Sequence, residues 1–305
     1  MPHLPTRTLG RTGLEVTALG YGAMELRGAP RGREVTKEQA RSILNAVLDS
    51  GINYIDTSID YGQSEELIGE FISGRRQEFY LASKCGCLVG EAARTAPPPG
   101  SPNRHIFTPE NIIAGVEQSL RRMKTDYLDV VQFHGSPSQQ TLEENGSLQA
   151  VLDLQRQGKV RFIGMSSTLP NLADHVKMGV FDVFQIPYSA LQREHEQIIA
   201  DASEAGAGIV IRGGVARGGP GKEEGGYWEA WQKAGLDDLA GGPAGRMEFI
   251  FRFTISHPDL DTTIVGTINP EHLRDNLQAL AKGPLPPDVY EEAKRRLDAA
   301  GIKPL

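Results

Sequence analysis

Cysteine is almost missing from this chain: Cys85 and Cys87 are the only two among 305 residues. Only two positions apart on an extended segment, they are poor candidates for a mutual disulfide; with no second pair, a four-ligand zinc site of the usual type is not expected either. Both are read as free thiols, and no metal site is expected. Dense runs of positive charge are lacking too. Arg75-Arg76, Arg121-Arg122 and Arg295-Arg296 are isolated pairs in a chain of net charge −7, which speaks against nucleic acid as a partner. No stretch approaches the roughly 20 apolar residues of a membrane helix, and the amino-terminal MPHLPTRTLGRTG lacks the apolar core of a signal peptide. A cytoplasmic protein without membrane partners is expected. The G-x-G-x-x-G phosphate loop that announces many open α/β sheets is also missing.

What the chain does contain is alternation. With 39% hydrophobic residues it can bury a large core, and its length suits one α/β barrel domain over residues 1–305. Glycines at 10 and 13 break a β-favouring amino-terminal stretch into a hairpin. Apolar β runs then end at Leu19, Ile55, Ser83, Phe133, Met165, Ile186, Ile211 and Val265, each followed by a helical pattern. Thr36 and Gln39 have capping-box spacing ahead of a helix, Thr108-Pro109 and Asn269-Pro270 open two more, and residues 142–157 and 248–256 read as further helices. Eight strands alternating with helices predict a closed α/β architecture, a (β/α)8 TIM barrel, with an extra helix from Pro287 packed outside it. Residues 87–107, with their Ala-Pro-Pro-Pro-Gly-Ser-Pro run, and residues 213–245 read as long loops of the kind that form lids or binding surfaces.

The chain is organised around INYIDTSIDYGQSEELIG, residues 52–69. An apolar strand ends at the carboxylate of Asp56, a short loop carries Tyr61, and an amphipathic helix begins at Ser64. In the barrel, Lys84 and His134 end neighbouring strands on the same rim. A phenol of pKa about 10 is a weak acid; a nearby ammonium favours its ionised form and lowers that pKa, a carboxylate keeps the ammonium charged, and an imidazole can polarise a carbonyl oxygen. Taken singly, each residue has a plainer account, as a helix cap, a surface aromatic, a loop charge or a barrel-mouth histidine. Together they make a proton relay.

The segments YIDTS, DYGQSE, LASKCG and VVQFHGS closely resemble the signature of the aldo-keto reductases, NAD(P)-dependent barrel enzymes. That resemblance implies a catalytic tetrad of Asp56, Tyr61, Lys84 and His134. It further implies an NAD(P)H-dependent oxidoreductase that reduces an aldehyde or ketone to an alcohol, or runs the reverse, with hydride from the nicotinamide and a proton from Tyr61. A small-molecule carbonyl or alcohol is the expected substrate. A second reading stays open: a nucleotide-binding regulatory or channel-associated subunit with little turnover.

By the same resemblance GKVRFIGMSS places Ser166 and Ser167 at the nicotinamide amide, Ser167 replacing an asparagine with one hydrogen bond missing or carried by water, and Gln185 contacts the same group. Gly22, Ala23 and Met24 lie beyond the first strand, where small residues let a flat ring approach or simply make a turn. After strand seven, IVIRGGVARGG puts Arg212 and Gly213 where an aromatic is usual; Arg212 and Arg217 either meet the cofactor or are loop charges. Gly266, Thr267, Ile268, His272 and Asn276 match the segment that holds the adenosine end. Ile268 and His272 replace the basic groups that favour a 2′-phosphate, so the family points to NADPH while the local chemistry makes NADH credible.

Overall fold

Leu9 and Leu14 flank the turn between β1 (Thr6–Thr8) and β2 (Glu15–Thr17), an antiparallel hairpin. Both are buried and pack with Val16 against Tyr54, Ala82, Val130, Val183 and Val210. Those five residues come from five different strands, so the hairpin is a plug in the end of a barrel. The fit is tight: a Cβ on Gly208 would lie 2.6 Å from Leu9 Cγ. The computed structural model describes residues 4–90, 105–221 and 224–305.

Among these, eight parallel strands close the barrel: β3 (Leu19–Gly22), β4 (Tyr54–Asp56), β5 (Tyr80–Cys85), β6 (Leu128–Phe133), β7 (Val160–Ser166), β8 (Val183–Pro187), β9 (Gly208–Arg212) and β10 (Thr262–Val265). Each pairs with the next, and β10 returns to β3. Side chains alternate along a strand, so residues two apart share a face. Stepping two residues from the plug layer of Tyr54, Ala82, Val130, Val183 and Val210 reaches Asp56, Lys84, Gln132, Gln185 and Arg212. The next inward layer at the carboxyl ends of the strands is therefore polar, and the register seats Lys84 beside Gln132. Residues of the other parity, including Ile55, Leu81, Val131, Ile163, Ile186 and Ile211, face the surrounding helices in the main core.

The helices follow the local signals. In α1 (Lys37–Asp49) the Thr36–Gln39 capping box is complete, and Ala40, Ile43, Leu44, Val47 and Leu48 are its buried stripe. After α2 (Ser64–Phe71), α3 (Pro109–Met123) starts from the Thr108 cap. Where one helix over 142–157 was predicted there are two, α4 (Gln139–Glu144) and α5 (Ser147–Arg156), because Gly146 at φ 68° turns the chain between them. The chain continues through α6 (Asn171–Met178) and α7 (Glu196–Glu204). The stretch 213–245 is not simply a loop. It contains a 3-10 turn and α8 (Gly226–Ala234), anchored by buried Trp231, whose indole donates to Asp237 at 2.8 Å. Then come α9 (Arg246–Ile255), α10 (Pro270–Ala281), opened by Asn269 accepting from the Glu271 N–H, and α11 (Pro287–Ala299). Helix α11 docks outside the barrel: the Tyr290 ring lies 4.8 Å from Phe253, and buried Arg193 donates to Asp298 at 2.7 Å. The first barrel strand runs on to Gly22, not ending at Leu19, so Gly20 and Gly22 are inside it. Of the long loop 87–107, the portion 91–104 lies outside the described residues. No described helix is long and apolar enough to cross a membrane.

Candidate active site

The polar layer opens into a cleft of about 1250 Å³ at the carboxyl ends of the strands. Asp56, at the end of β4, is buried and accepts three side-chain donors. Lys84 Nζ donates to Oδ1 at 2.6 Å, and the Gln132 and Gln185 amides each donate to Oδ2 at 2.8 Å. Lys84 Nζ also donates to the Thr57 carbonyl at 2.8 Å. Three donors fix this buried carboxylate in place, and it orients the ammonium beside it. That ammonium lies 5.0 Å from the centroid of the half-buried Tyr61 ring, and the His134 ring stands edge-on to Tyr61 with centroids 6.3 Å apart. The four residues expected from the sequence come together on one rim.

Their protonation differs in one respect from expectation. Burial raises the Tyr61 pKa, and the nearby Lys84 only partly offsets it, so the phenol is held protonated and not activated toward phenolate. Burial would discharge Lys84, but Asp56 and Tyr61 outweigh it and raise its pKa. His134 is pushed well below the usual imidazole range by burial, with Lys84 and His105 adding to the effect, so it is neutral. Its Nδ1 lies 3.2 Å from Cys87 Sγ. Burial drives the Cys87 thiol up to about 12, so the sulfur carries its proton.

The expected cofactor positions divide. Gly22, Met24, Ser166, Ser167, Gln185, Arg212, Gly213, Arg217, Gly266, Thr267, Ile268, His272 and Asn276 all line the cleft with Asp56. Ala23 does not: it is fully buried, and its carbonyl accepts from the Ser64 hydroxyl at 3.0 Å. Gln185 commits its amide N–H to Asp56 and accepts a long 3.4 Å bond from Ser166. Ser167 is fully buried with its hydroxyl held by Ser136 at 2.8 Å and His175 at 2.9 Å, which accounts for a short side chain there. Phe107, Tyr227, Trp228 and Trp231, the large aromatics of the two long loops, are absent from the cleft lining; Trp228 instead lies under the Arg246 guanidinium at 4.3 Å.

Sequence reasoning missed Gln132, one polar residue in the apolar run LDVVQF, whose period-two register from Val130 marks it as inward. It also missed Ser136, Gln192 and Met247 in the lining, and Arg33, which lines the cleft together with Ile268 and His272 and lies 3.6 Å from Glu25.

The cleft suits a dinucleotide. Its volume exceeds the roughly 300–1,000 Å³ of a pocket for one drug-sized ligand. Its floor at Gly22 and Gly266 has no side chain, and Arg212 presents a buried Nε with no protein partner.

Comparison with known proteins agrees. Residues 18–224 match the Aldo/keto reductase family. The chain is 29% identical over 294 residues to an uncharacterized oxidoreductase, YqkF, of Bacillus subtilis (strain 168), covering 90% of each. It is 29% identical over 290 residues to pyridoxine 4-dehydrogenase of Escherichia coli (strain K12), covering 90% of this chain and 92% of that one. The structure of aldo-keto reductase AKR11C1 from Bacillus halodurans in its holo form superposes with a TM-score of 0.81 at 27% identity, over 96% of both chains. This chain belongs to the aldo/keto reductase family and is an NAD(P)-dependent oxidoreductase.

Proposed function

We propose that the chain reduces an aldehyde or ketone with Tyr61 as the proton donor, Lys84 and Asp56 as its electrostatic support and His134 as the group that orients the carbonyl oxygen. The observation that carries this is the convergence of a protonated phenol, a buried ion pair and a neutral imidazole in one cleft. A bound reduced nicotinamide supplies the hydride. Tyr61 gives its proton to the developing alkoxide, and the phenolate left behind faces the Lys84 ammonium, which stabilises it. Asp56 keeps that ammonium charged and aimed. The protonated Cys87 thiol donates to His134 Nδ1, which leaves the ring proton on Nε2 as a donor for the substrate oxygen. The oxidoreductase names of the relatives favour turnover over a regulatory subunit.

For the cofactor, the reading is NADPH. Neither position 268 nor 272 is a lysine or arginine, but Arg33 reaches the same part of the cleft from the loop after β3 and also lines the recess beside Asn269 and Pro270. Its guanidinium suits a 2′-phosphate. The test has two arms. Tyr61→Phe is expected to abolish NADPH oxidation with a reactive aldehyde while leaving nucleotide affinity unchanged; equal rates in the two proteins would refute the tetrad. In nicotinamide-fluorescence titrations, Arg33→Ala is expected to weaken NADPH roughly tenfold, about 1.4 kcal/mol, and NADH little. Equal loss for both nucleotides would refute the assignment of Arg33.

A further inference from the structure

Behind Tyr61, the chain gathers three metal-binding side chains that the reduction chemistry does not require as a set: Cys87, His105 and His134. One ligand atom from each lies within 4.8 Å of the other two. Cys87 Sγ and His134 Nδ1 are already 3.2 Å apart, and the His105 and His134 rings are edge to face at 5.1 Å. Zinc bonds of about 2.3 Å to sulfur and about 2.0–2.1 Å to nitrogen put tetrahedral ligand atoms about 3.3–3.6 Å apart. The closest pair, at 3.2 Å, lies just inside this spacing, and the third ligand needs at most about 1.5 Å of closure.

The cluster is held by its backbone. Cys87 and His105 form an antiparallel bridge, and the Ile106 N–H donates to the Gly86 carbonyl at 2.8 Å. The Asn111 amide spans both sides, donating to the Cys87 carbonyl at 3.0 Å and the Ile106 carbonyl at 2.9 Å. Gly135, at φ 86°, brings its backbone against the His105 ring, where a Cβ would lie 2.8 Å from Nδ1. The Phe107 ring stacks on His105 with centroids 6.1 Å apart. The backbone bridge, Gly135 and Phe107 thus keep His105 beside Cys87 and His134.

From this geometry we infer that Cys87, His105 and His134 form a zinc(II) site whose occupancy inhibits the enzyme. One thiolate and two imidazoles are a donor set for zinc, with a fourth position left for water. Binding replaces the Cys87–His134 hydrogen bond: the thiol loses its proton to solvent, and sulfur and Nδ1 bind the same ion, with no change of oxidation state. Inhibition rests on the proposed role of His134, because the ion fixes that ring to His105 and adds positive charge beside Tyr61. The spacing of Cys85 and Cys87 speaks only against four-ligand zinc sites with paired cysteines. These three ligands come from separate segments and meet only in the fold.

The test uses the full chain after chelator treatment. Cobalt(II) titration is expected to give a thiolate-to-metal charge-transfer band that saturates at one equivalent, is lost in Cys87→Ser and needs at least about tenfold more metal in His105→Ala. Zinc is expected to displace the cobalt, to raise the melting temperature of the wild type but not of Cys87→Ser, and to inhibit aldehyde reduction. In His105→Ala the inhibition constant, referred to that variant's own metal-free rate, rises by the same factor. A missing band, or one unchanged in Cys87→Ser, overturns the site; a saturated site with full turnover overturns inhibition. Tyr61→Phe is assayed without metal, so failure of the catalytic reading is seen separately.

Discussion

In the proposed site Asp56 gathers three side-chain donors, and Gln132 supplies one of them without touching the cleft. Replacing Gln132 by Leu removes a hydrogen bond to a buried carboxylate and is expected to cost about 1.5–3 kcal/mol of stability, read from urea unfolding. Turnover is expected to fall while NADPH affinity holds, because the loss falls on the aim of Lys84 and not on the cofactor. Unchanged stability and kcat would remove Gln132 from the site. Asp56, Tyr61, Lys84 and His134 were legible because each sits in a short local motif. Gln132 was not, since its partner is 76 positions away and nothing in LDVVQF names it. The meeting of Cys87 with His105 was hidden for the same reason, and the balance of burial against charge at Tyr61 can be read only once the walls around it exist.

Among the elements, the amino-terminal hairpin separates stability from chemistry. Leu9 is fully buried in the barrel end opposite the cleft. Leu9→Ala opens a cavity against Val130, Val183 and Val210 and is expected to cost about 2–5 kcal/mol. At room temperature kcat stays near wild type, because the polar layer rests on the strands' own hydrogen bonds. Denaturant unfolding and a rate assay on the same preparation check this; a destabilisation below about 1 kcal/mol would mean that the plug contributes little. The strands and the capped helices α1, α3 and α10 were legible, since period, caps and glycine stops agree there. Two features went unread. Gly146 breaks a helix whose apolar pattern runs across it, and α8 forms inside a glycine-rich stretch because Trp231 is buried and its indole bonds Asp237.

At the scale of the whole molecule, four histidines among the described residues are held neutral: burial lowers the pKa of His134, His175, His195 and His257. Two also accept backbone N–H donors, His195 Nε2 from Leu169 and His257 Nδ1 from Asp259, each at 3.2 Å, bonds that protonation would remove. The unfolded chain takes up a proton at each near pH 6.5, while the folded chain resists it to lower pH, so unfolding binds protons and stability falls as pH drops. Between about pH 7.5 and about pH 6 each histidine that stays neutral removes up to about 0.8 kcal/mol, roughly 3 kcal/mol for the set. Two carboxyl groups among the described residues, buried Glu65 and half-buried Asp261, act in the opposite sense. Burial raises the pKa of Glu65 and lifts Asp261 to about 6, so the folded state keeps those protons longer, and for Asp261 the effect falls mainly below that pH. The sign is therefore cleanest from neutral pH down to about 6. Urea unfolding across that range is expected to show stability decreasing toward acid, with net proton uptake on unfolding. A flat profile or a rise would mean that these histidines charge freely inside the folded barrel.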